Sequence, residues 1–232
     1  SRGLGDVYKR QVSVGKVRMC IENRGYYKMY KTVVFDLDGT LLNTLTDLAD
    51  AGNRLCRKYG WPTHERQAYR YFVGNGIPKL VERLAPADQR TPAVLEAALA
   101  DFKRDYGQHL RDTTAPYPGI PEMLAKLKAN GVQLAVFSNK ADALAKEVVK
   151  DYFGTQYFTI VRGQMTGVAP KPAAEGTNAL LQALHADPAS TLYVGDSNVD
   201  VETAHNANLP CCGAVWGFRT REEPVSYTHL RA

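Results

Sequence analysis

The stretch "KTVVFDLDGTLLNT", Lys31 to Thr44, decides how the rest of the chain is read. An apolar run ends in two aspartates, Asp36 and Asp38; a glycine and a threonine follow, and then leucines resume. The run "KTVVF" (31–35) is continuous in apolar residues, as in a strand buried on both faces of a parallel sheet. Two like charges at the mouth of such a strand form either an Asp/Gly turn or a carboxylate site. A calcium loop of the EF-hand kind fits poorly. It needs an oxygen donor at its fifth position, glycine at its sixth and glutamate at its twelfth, where this chain has Thr40, Leu41 and Asp47.

Outward from that stretch, residues 45–59 carry helical spacing, with Leu45, Leu48, Ala49, Leu55 and Cys56 on roughly one face, and "GWP" ends it. Further helical patterns at about 64–73, 76–84 and 92–109 are separated by "VGNGIP" and "APADQRTP". No strand pattern interrupts about 45–115, which reads as an all-helical insert closed by "APYPGIP" (115–121). Beyond it, helices at about 119–129, 141–151, 173–185 and 200–207 alternate with strands at 132–138, 157–161, 191–196 and 212–216. Alternation of this kind predicts an α/β fold with a Rossmann-like parallel sheet, its core at 29–44 and 116–224 and the α-helical insert at 45–115.

The formal charge of +5 invites a nucleic-acid reading, but the ends carry it. One DNA string, GTC TCT TAT ACA CAT CT, encodes Val225 to His229 and begins a leucine codon. Its reverse complement, extended by two bases at each end, encodes Asp6 to Gln11. Residues 1–11 and 225–232 therefore read as the translated arms of a sequencing adapter, to be set aside in fold reasoning. Residues 12–28 are set aside as well, because Met29 stands just before the first strand and makes a natural start. These segments carry net charges of +2, +1 and +3, in the order just given, so residues 29–224 are left at −1. That balance argues for neither nucleic acid nor a membrane surface. Cys20, Cys56, Cys211 and Cys212 have no CxxC or ligand-like spacing and read as reduced thiols of a cytoplasmic protein. The five histidines form no ligand pattern either.

In open α/β sheets, ligands bind beyond the carboxyl ends of the strands. Asp36 and Asp38 follow the first strand, and Ser138, Asn139 and Lys140 ("SNK") follow the next. "APKP" with Lys171 follows the third, and "GDSNVD" with Asp196 and Asp200 the fourth. Four carboxylates, a lysine and a hydroxyl are thus expected at one edge. Clustered carboxylates repel unless a cation offsets them, and an all-oxygen set of this kind suits Mg²⁺. A lysine and a hydroxyl suit the remaining charge of a phosphoryl group, and an aspartate can attack phosphorus.

These segments, "VVFDLDGTLLNT", "AVFSNK", "GQMTGVAPKP" and "LYVGDSNVD", make the chain resemble the haloacid dehalogenase superfamily of hydrolases over about residues 30–220. "VGNGI" and the "GQ…KP" spacing are similar to the phosphoglycolate-phosphatase-like branch, whereas Ala173 and Ala174 stand where relatives often have an acidic residue and proline. The resemblance implies a Mg²⁺-dependent phosphatase acting on a small phosphorylated metabolite, most simply 2-phosphoglycolate, with the helical insert as a mobile cap. It implies Asp36 as nucleophile, Asp38 as acid and base, and Lys171 as the cation that neutralises nucleophile and phosphate. Gly39 would permit the tight turn and Thr40 would hold it, while Ser138 and the Asn139 backbone would bind phosphate. Asp36, the Asp38 carbonyl and Asp196 would hold the metal, with Asp200 acting on the metal or on Lys171. Gly76 and Lys79, at "GNG" and just after it, are candidates for touching the leaving group. Rival readings are a phosphosugar mutase, a phosphonatase using Lys79 as its amine, and a non-catalytic phosphate-binding module. Monomer and homodimer are both compatible with the sequence.

Overall fold

Thr32–Phe35 forms β1, the middle strand of a five-stranded sheet. The computed structural model describes residues 30–219. The expectations for the adapter-like ends, for 12–28, for a start at Met29, for Cys20 and His229, and for the core beyond 219 lie outside the described residues. After β1 come β2 (Leu42–Asn43) and the helices α1 (Leu45–Tyr59), α2 (Arg66–Phe72), α3 (Ile77–Leu84) and α4 (Pro92–His109). Then follow β3 (Ala115–Pro116), α5 (Ile120–Ala129), β4 (Gln133–Ala141), α6 (Asp142–Phe153) and β5 (Ile160–Gln164). The last elements are α7 (Ala174–Leu184), β6 (Thr191–Gly195), α8 (Asn198–Asn206) and β7 (Cys211–Gly213).

The sheet order is β5-β4-β1-β6-β7 and every pairing in it is parallel. Phe35 stands opposite Val136 of β4 and Val194 of β6, so the residues following Phe35 and Val194 leave the sheet at one edge. The continuous apolar run has the expected cause: both faces are covered. Val33, Phe35, Leu134, Val136 and Leu192 pack with α5, α6 and the insert helices, while Val34, Ala135, Phe137 and Tyr193 pack with α7 and α8. Each such aliphatic or aromatic side chain contributes about 1.5–3 kcal/mol on burial.

Three details depart from the expected pattern. β2 and β3 pair antiparallel, Leu42 with Pro116 and Asn43 with Ala115, and so close both crossings into the helical segment. A ladder this short, with a proline in it, leaves no periodic trace. β5 begins at Ile160 instead of 157, because Tyr157 and Phe158 pack into the core from the preceding loop. β7 ends at Gly213, and Trp216 turns away to donate its indole N–H to the Thr40 carbonyl at 3.0 Å.

Asp47, in the first turn of α1, fastens this arrangement. Its buried carboxylate accepts the backbone N–H of Thr113 at 2.9 Å and of Thr114 at 2.9 Å, and both threonine hydroxyls. Asp47→Ala strands the buried Thr114 donors and is expected to lower unfolding stability by about 3 kcal/mol. Asp47→Asn, which keeps one acceptor oxygen, should cost less; urea denaturation midpoints measure both.

Candidate active site

The loops beyond β1 and β6, the segment before α7 and the first turn of α8 converge on one lysine. The Lys171 ammonium donates to Asp36 Oδ1 at 2.7 Å, to Asp200 Oδ1 at 2.7 Å and to the Tyr193 hydroxyl at 3.2 Å. Asp196 joins the pair: carboxylate oxygens of Asp36, Asp196 and Asp200 lie within 4.8 Å of one another, and all three residues are buried. Asp196 Oδ2 also accepts the Phe218 N–H at 2.6 Å. Asp200 serves two structures at once. Its Oδ2 accepts the Ser197 N–H at 3.1 Å and hydroxyl at 2.8 Å, which closes a capping box at the start of α8.

Glycine makes this density possible. Gly39 has φ +92°, a conformation that disfavours a side chain, and a Cβ there would stand 2.4 Å from Asp196 Oδ2. A Cβ on Gly195 would stand 2.2 Å from the Asp200 Cβ.

The electrostatics follow from crowding and burial. Burial, then Asp200 and Asp38, push the Asp36 carboxyl up to about 7 against the opposing pull of Lys171. Burial, then Asp200 and Asp36, hold Asp196 well above the ordinary carboxylate range. Burial works against the Lys171 charge, but Asp200 and Asp36 more than offset it, and its pKa lies well above the usual lysine value. An all-oxygen, over-concentrated donor set of this kind fits a hard divalent cation such as Mg²⁺.

The other expected residues fall into place unevenly. Asp38 lies beside the cluster and lines the same cleft, but its partner is Lys140, whose ammonium donates to it at 3.2 and 3.3 Å. Ser138 is buried near the end of β4, its hydroxyl accepting the Lys140 N–H at 3.2 Å; it caps no helix, since α6 starts at Asp142. Asn139 works through its side chain. The amide accepts the Lys171 N–H at 2.8 Å and donates to the Lys171 carbonyl at 3.2 Å and the Gly74 carbonyl at 3.0 Å. Gly76 comes close to this point, since a Cβ on it would stand 3.4 Å from the Asn139 carbonyl oxygen. Thr40 is fully buried and its hydroxyl has no hydrogen-bond partner among the described residues; the turn is held by backbone, with Gly39 N–H donating to the Leu42 carbonyl at 2.8 Å. Lys79 is not brought to the cleft: it is exposed, and its ammonium pairs with Glu82 at 2.8 Å.

Sequence reasoning passed over Lys140, Tyr193, Arg70 and Arg219. Lys140 stood in the quoted "SNK" with no task assigned to it. Arg70 of α2 and Arg219, beyond β7, line the cleft with Asp36 and Asp38. Arg219 Nη2 donates to the Val73 carbonyl at 3.2 Å and its guanidinium lies 5.1 Å from the Tyr71 ring centre. Isolated arginines in helical or loop sequence give no signal that could have singled them out.

A family model described as haloacid dehalogenase-like hydrolase matches residues 33–214. A phosphoglycolate phosphatase of Thiobacillus denitrificans is 31% identical over 205 residues, 87% of this chain and 90% of that protein. One from Neisseria meningitidis is 32% identical over 191 residues, 81% of each. A crystal structure from Lactobacillus delbrueckii, described provisionally as a phosphoglycolate phosphatase, superposes with a TM-score of 0.80 at 28% identity. That match covers 86% of this chain and 92% of the other.

A carboxyl that ionises less readily in the fold than in the unfolded chain disfavours the fold once it is charged. For Asp36 that loss sets in above the unfolded value of 3.8 and is complete above about 7, so the metal-free protein should lose stability as pH rises through this range. At pH 8 without metal, Asp196→Asn is expected to raise the thermal midpoint by roughly 2–5 °C, since it removes one of the crowded charges. The same variant should no longer respond to millimolar Mg²⁺, which should stabilise the unsubstituted protein. Calorimetry at both pH limits reads all of these.

Proposed function

Because the chain belongs to the haloacid dehalogenase-like hydrolases and is a phosphoric monoester hydrolase, we propose that it hydrolyses 2-phosphoglycolate through an aspartyl-phosphate on Asp36. The observation that carries this reading is the shared Lys171 ammonium, 2.7 Å from both Asp36 and Asp200. It keeps a buried carboxylate oriented and supplies the positive charge that an incoming phosphoryl group needs. Asp36 attacks phosphorus, and the bond from phosphorus to the ester oxygen breaks as Asp38 gives that oxygen its proton. Asp38, now a carboxylate, takes a proton from water; the water oxygen attacks the phosphoryl group, and phosphate and free Asp36 result.

Mg²⁺, when bound, would neutralise charge on the phosphoryl oxygens and on the acidic cluster. Asp36, Asp196 and the Asp38 carbonyl would hold it, with Asp200 fixing Lys171 from behind. Ser138 and the Asn139 backbone would take phosphate oxygens. Helices α1–α4, entered and left through the β2–β3 ladder, would act as a cap (45–115) on the core (29–44 and 116–224). The Gly74–Gly76 loop meeting Asn139 supports that arrangement.

Preference for an acidic substrate rests on the cations that line the cleft. Lys171 is already shared between Asp36 and Asp200, and Arg219 is engaged with the Val73 carbonyl and the Tyr71 ring, whereas Arg70 brings to the same cleft the planar fork that suits a carboxylate. The protein is read as cytoplasmic, monomeric or homodimeric. Among the described residues no helix is long and apolar enough to cross a membrane.

Phosphate release across a panel of small phosphoesters tests the substrate, and a leading place for some other ester would displace 2-phosphoglycolate. Asp36→Asn should abolish turnover and the acid-stable labelled enzyme; full activity would sink the mechanism. EDTA should silence the enzyme and Mg²⁺ restore it. Arg70→Met is expected to raise KM for 2-phosphoglycolate about tenfold or more, a loss of the size expected for one charged contact, while p-nitrophenyl phosphate changes little.

A further inference from the structure

We propose that Lys140 is the positioning residue for Asp38, holding the proton-transferring carboxylate toward the leaving group, and that Tyr106 of α4 fixes Lys140 in turn. The proposal rests on the acid–base reading of Asp38 given above.

Lys140 stands near the end of β4 and is 5% exposed. Its ammonium reaches both Asp38 oxygens, at 3.2 and 3.3 Å, and the Tyr106 hydroxyl at 3.0 Å. Those three acceptors match the three N–H bonds of an ammonium. The cation also lies 5.0 Å from the Tyr106 ring centre, within the range of a cation–π contact. A buried ammonium needs such partners, and the backbone leaves it little room to leave them. A Cβ on Gly163 of β5 would stand 2.4 Å from the Lys140 carbonyl oxygen, so the two strands are in close contact here.

Asp38 is the most open carboxylate of the site, its side chain 21% exposed against 10% for Asp36 and 1% for Asp200. Openness suits a group that must meet a leaving oxygen and then a water. It also leaves the side chain free to turn toward solvent unless something holds it. Lys171 serves Asp36 and Asp200; Lys140 serves Asp38. The two lysines thus divide the site, one for the nucleophile and one for the proton carrier. Lys140 forms no bond with substrate and keeps its own protons. It orients Asp38 and stabilises the carboxylate that remains once the proton has passed to the ester oxygen. Tyr106 belongs to the helical segment and is fully buried, so the position of Asp38 depends on α4 lying against the sheet.

The test compares two leaving groups. An alkyl phosphate, 2-phosphoglycolate or the best alkyl ester of the panel, needs a proton to depart; 2,4-dinitrophenyl phosphate does not. Lys140→Met should lower kcat/KM for the alkyl ester about 100-fold and for the dinitrophenyl ester less than about threefold. Lys140→Arg should recover part of the alkyl activity. Tyr106→Phe should show the same selectivity at a few-fold. Equal losses on both esters, or no loss on either, would overturn the proposal, since a role confined to holding the fold moves both alike. Asp38→Asn is run beside them. If it discriminates between the esters and Lys140→Met does not, the proposal alone fails. If Asp38→Asn does not discriminate, the acid–base reading fails and takes the proposal with it. Should Lys140→Met not fold, Tyr106→Phe decides, and absence of selectivity there overturns the proposal.

Discussion

One buried ammonium shared by two carboxylates is the constraint to which the rest of the site answers. Lys171 comes from the segment before α7, Asp36 from the end of β1 and Asp200 from the first turn of α8. Removing Lys171 leaves two buried carboxylates without their shared cation, which costs far more than the ion pairs themselves contribute. The surrounding structure makes the sharing compulsory. Parallel register brings β1 and β6 to the same level, Gly39 and Gly195 let the carboxylates pack at contact distance, and the Asn139 amide fastens the Lys171 backbone. The sheet thereby concentrates negative charge that a single lysine only partly offsets, and burial, followed by this crowding, holds the Asp36 and Asp196 carboxyls up.

The helical segment meets this arrangement through hydrogen bonds at Gly74, Val73 and Tyr106. Asn139 donates to the Gly74 carbonyl, Arg219 donates to the Val73 carbonyl, and Lys140 shares its ammonium with Tyr106. The sheet supplies the acidic cluster, and the helices supply or fix the groups on its open side. Family motifs carry the acidic cluster and also Asn139 and Lys140, whereas Tyr106 and Arg219 stand outside them.

Much of the fold was legible because burial leaves a pattern. Strands covered on both faces read as apolar runs, and α1, α3, α4 and α5 lie within a residue or so of where periodicity put them. The β2–β3 ladder was not legible, since two residues carry no period. Asp36, Asp196, Asp200 and Lys171 could be grouped from sequence because each follows a strand in the same sense. Lys79 could not be placed: proximity in sequence to a glycine loop says nothing about which way a helix turns its side chains, and α3 turns this one outward to Glu82. The tasks of Lys140 and Asn139 were hidden for a related reason. Both stand in a recognisable motif, but their partners, Tyr106 of α4 and Gly74 in the loop before α3, belong to a segment whose sequence carries no sign of where it will dock.

The distances along the chain between these partners have a kinetic meaning. Lys171 and Asp36 are 135 residues apart, Lys140 and Asp38 102, and Lys140 and Tyr106 34. Such pairs close only after long loops have been closed by other contacts, and the apolar strands are the elements able to do that early. On that ground the charged site is expected to form late in folding, on a sheet that already exists. Contacts made after the folding barrier slow unfolding and do little to speed folding, so the chemistry and the lifetime of the native state would draw on the same few charges.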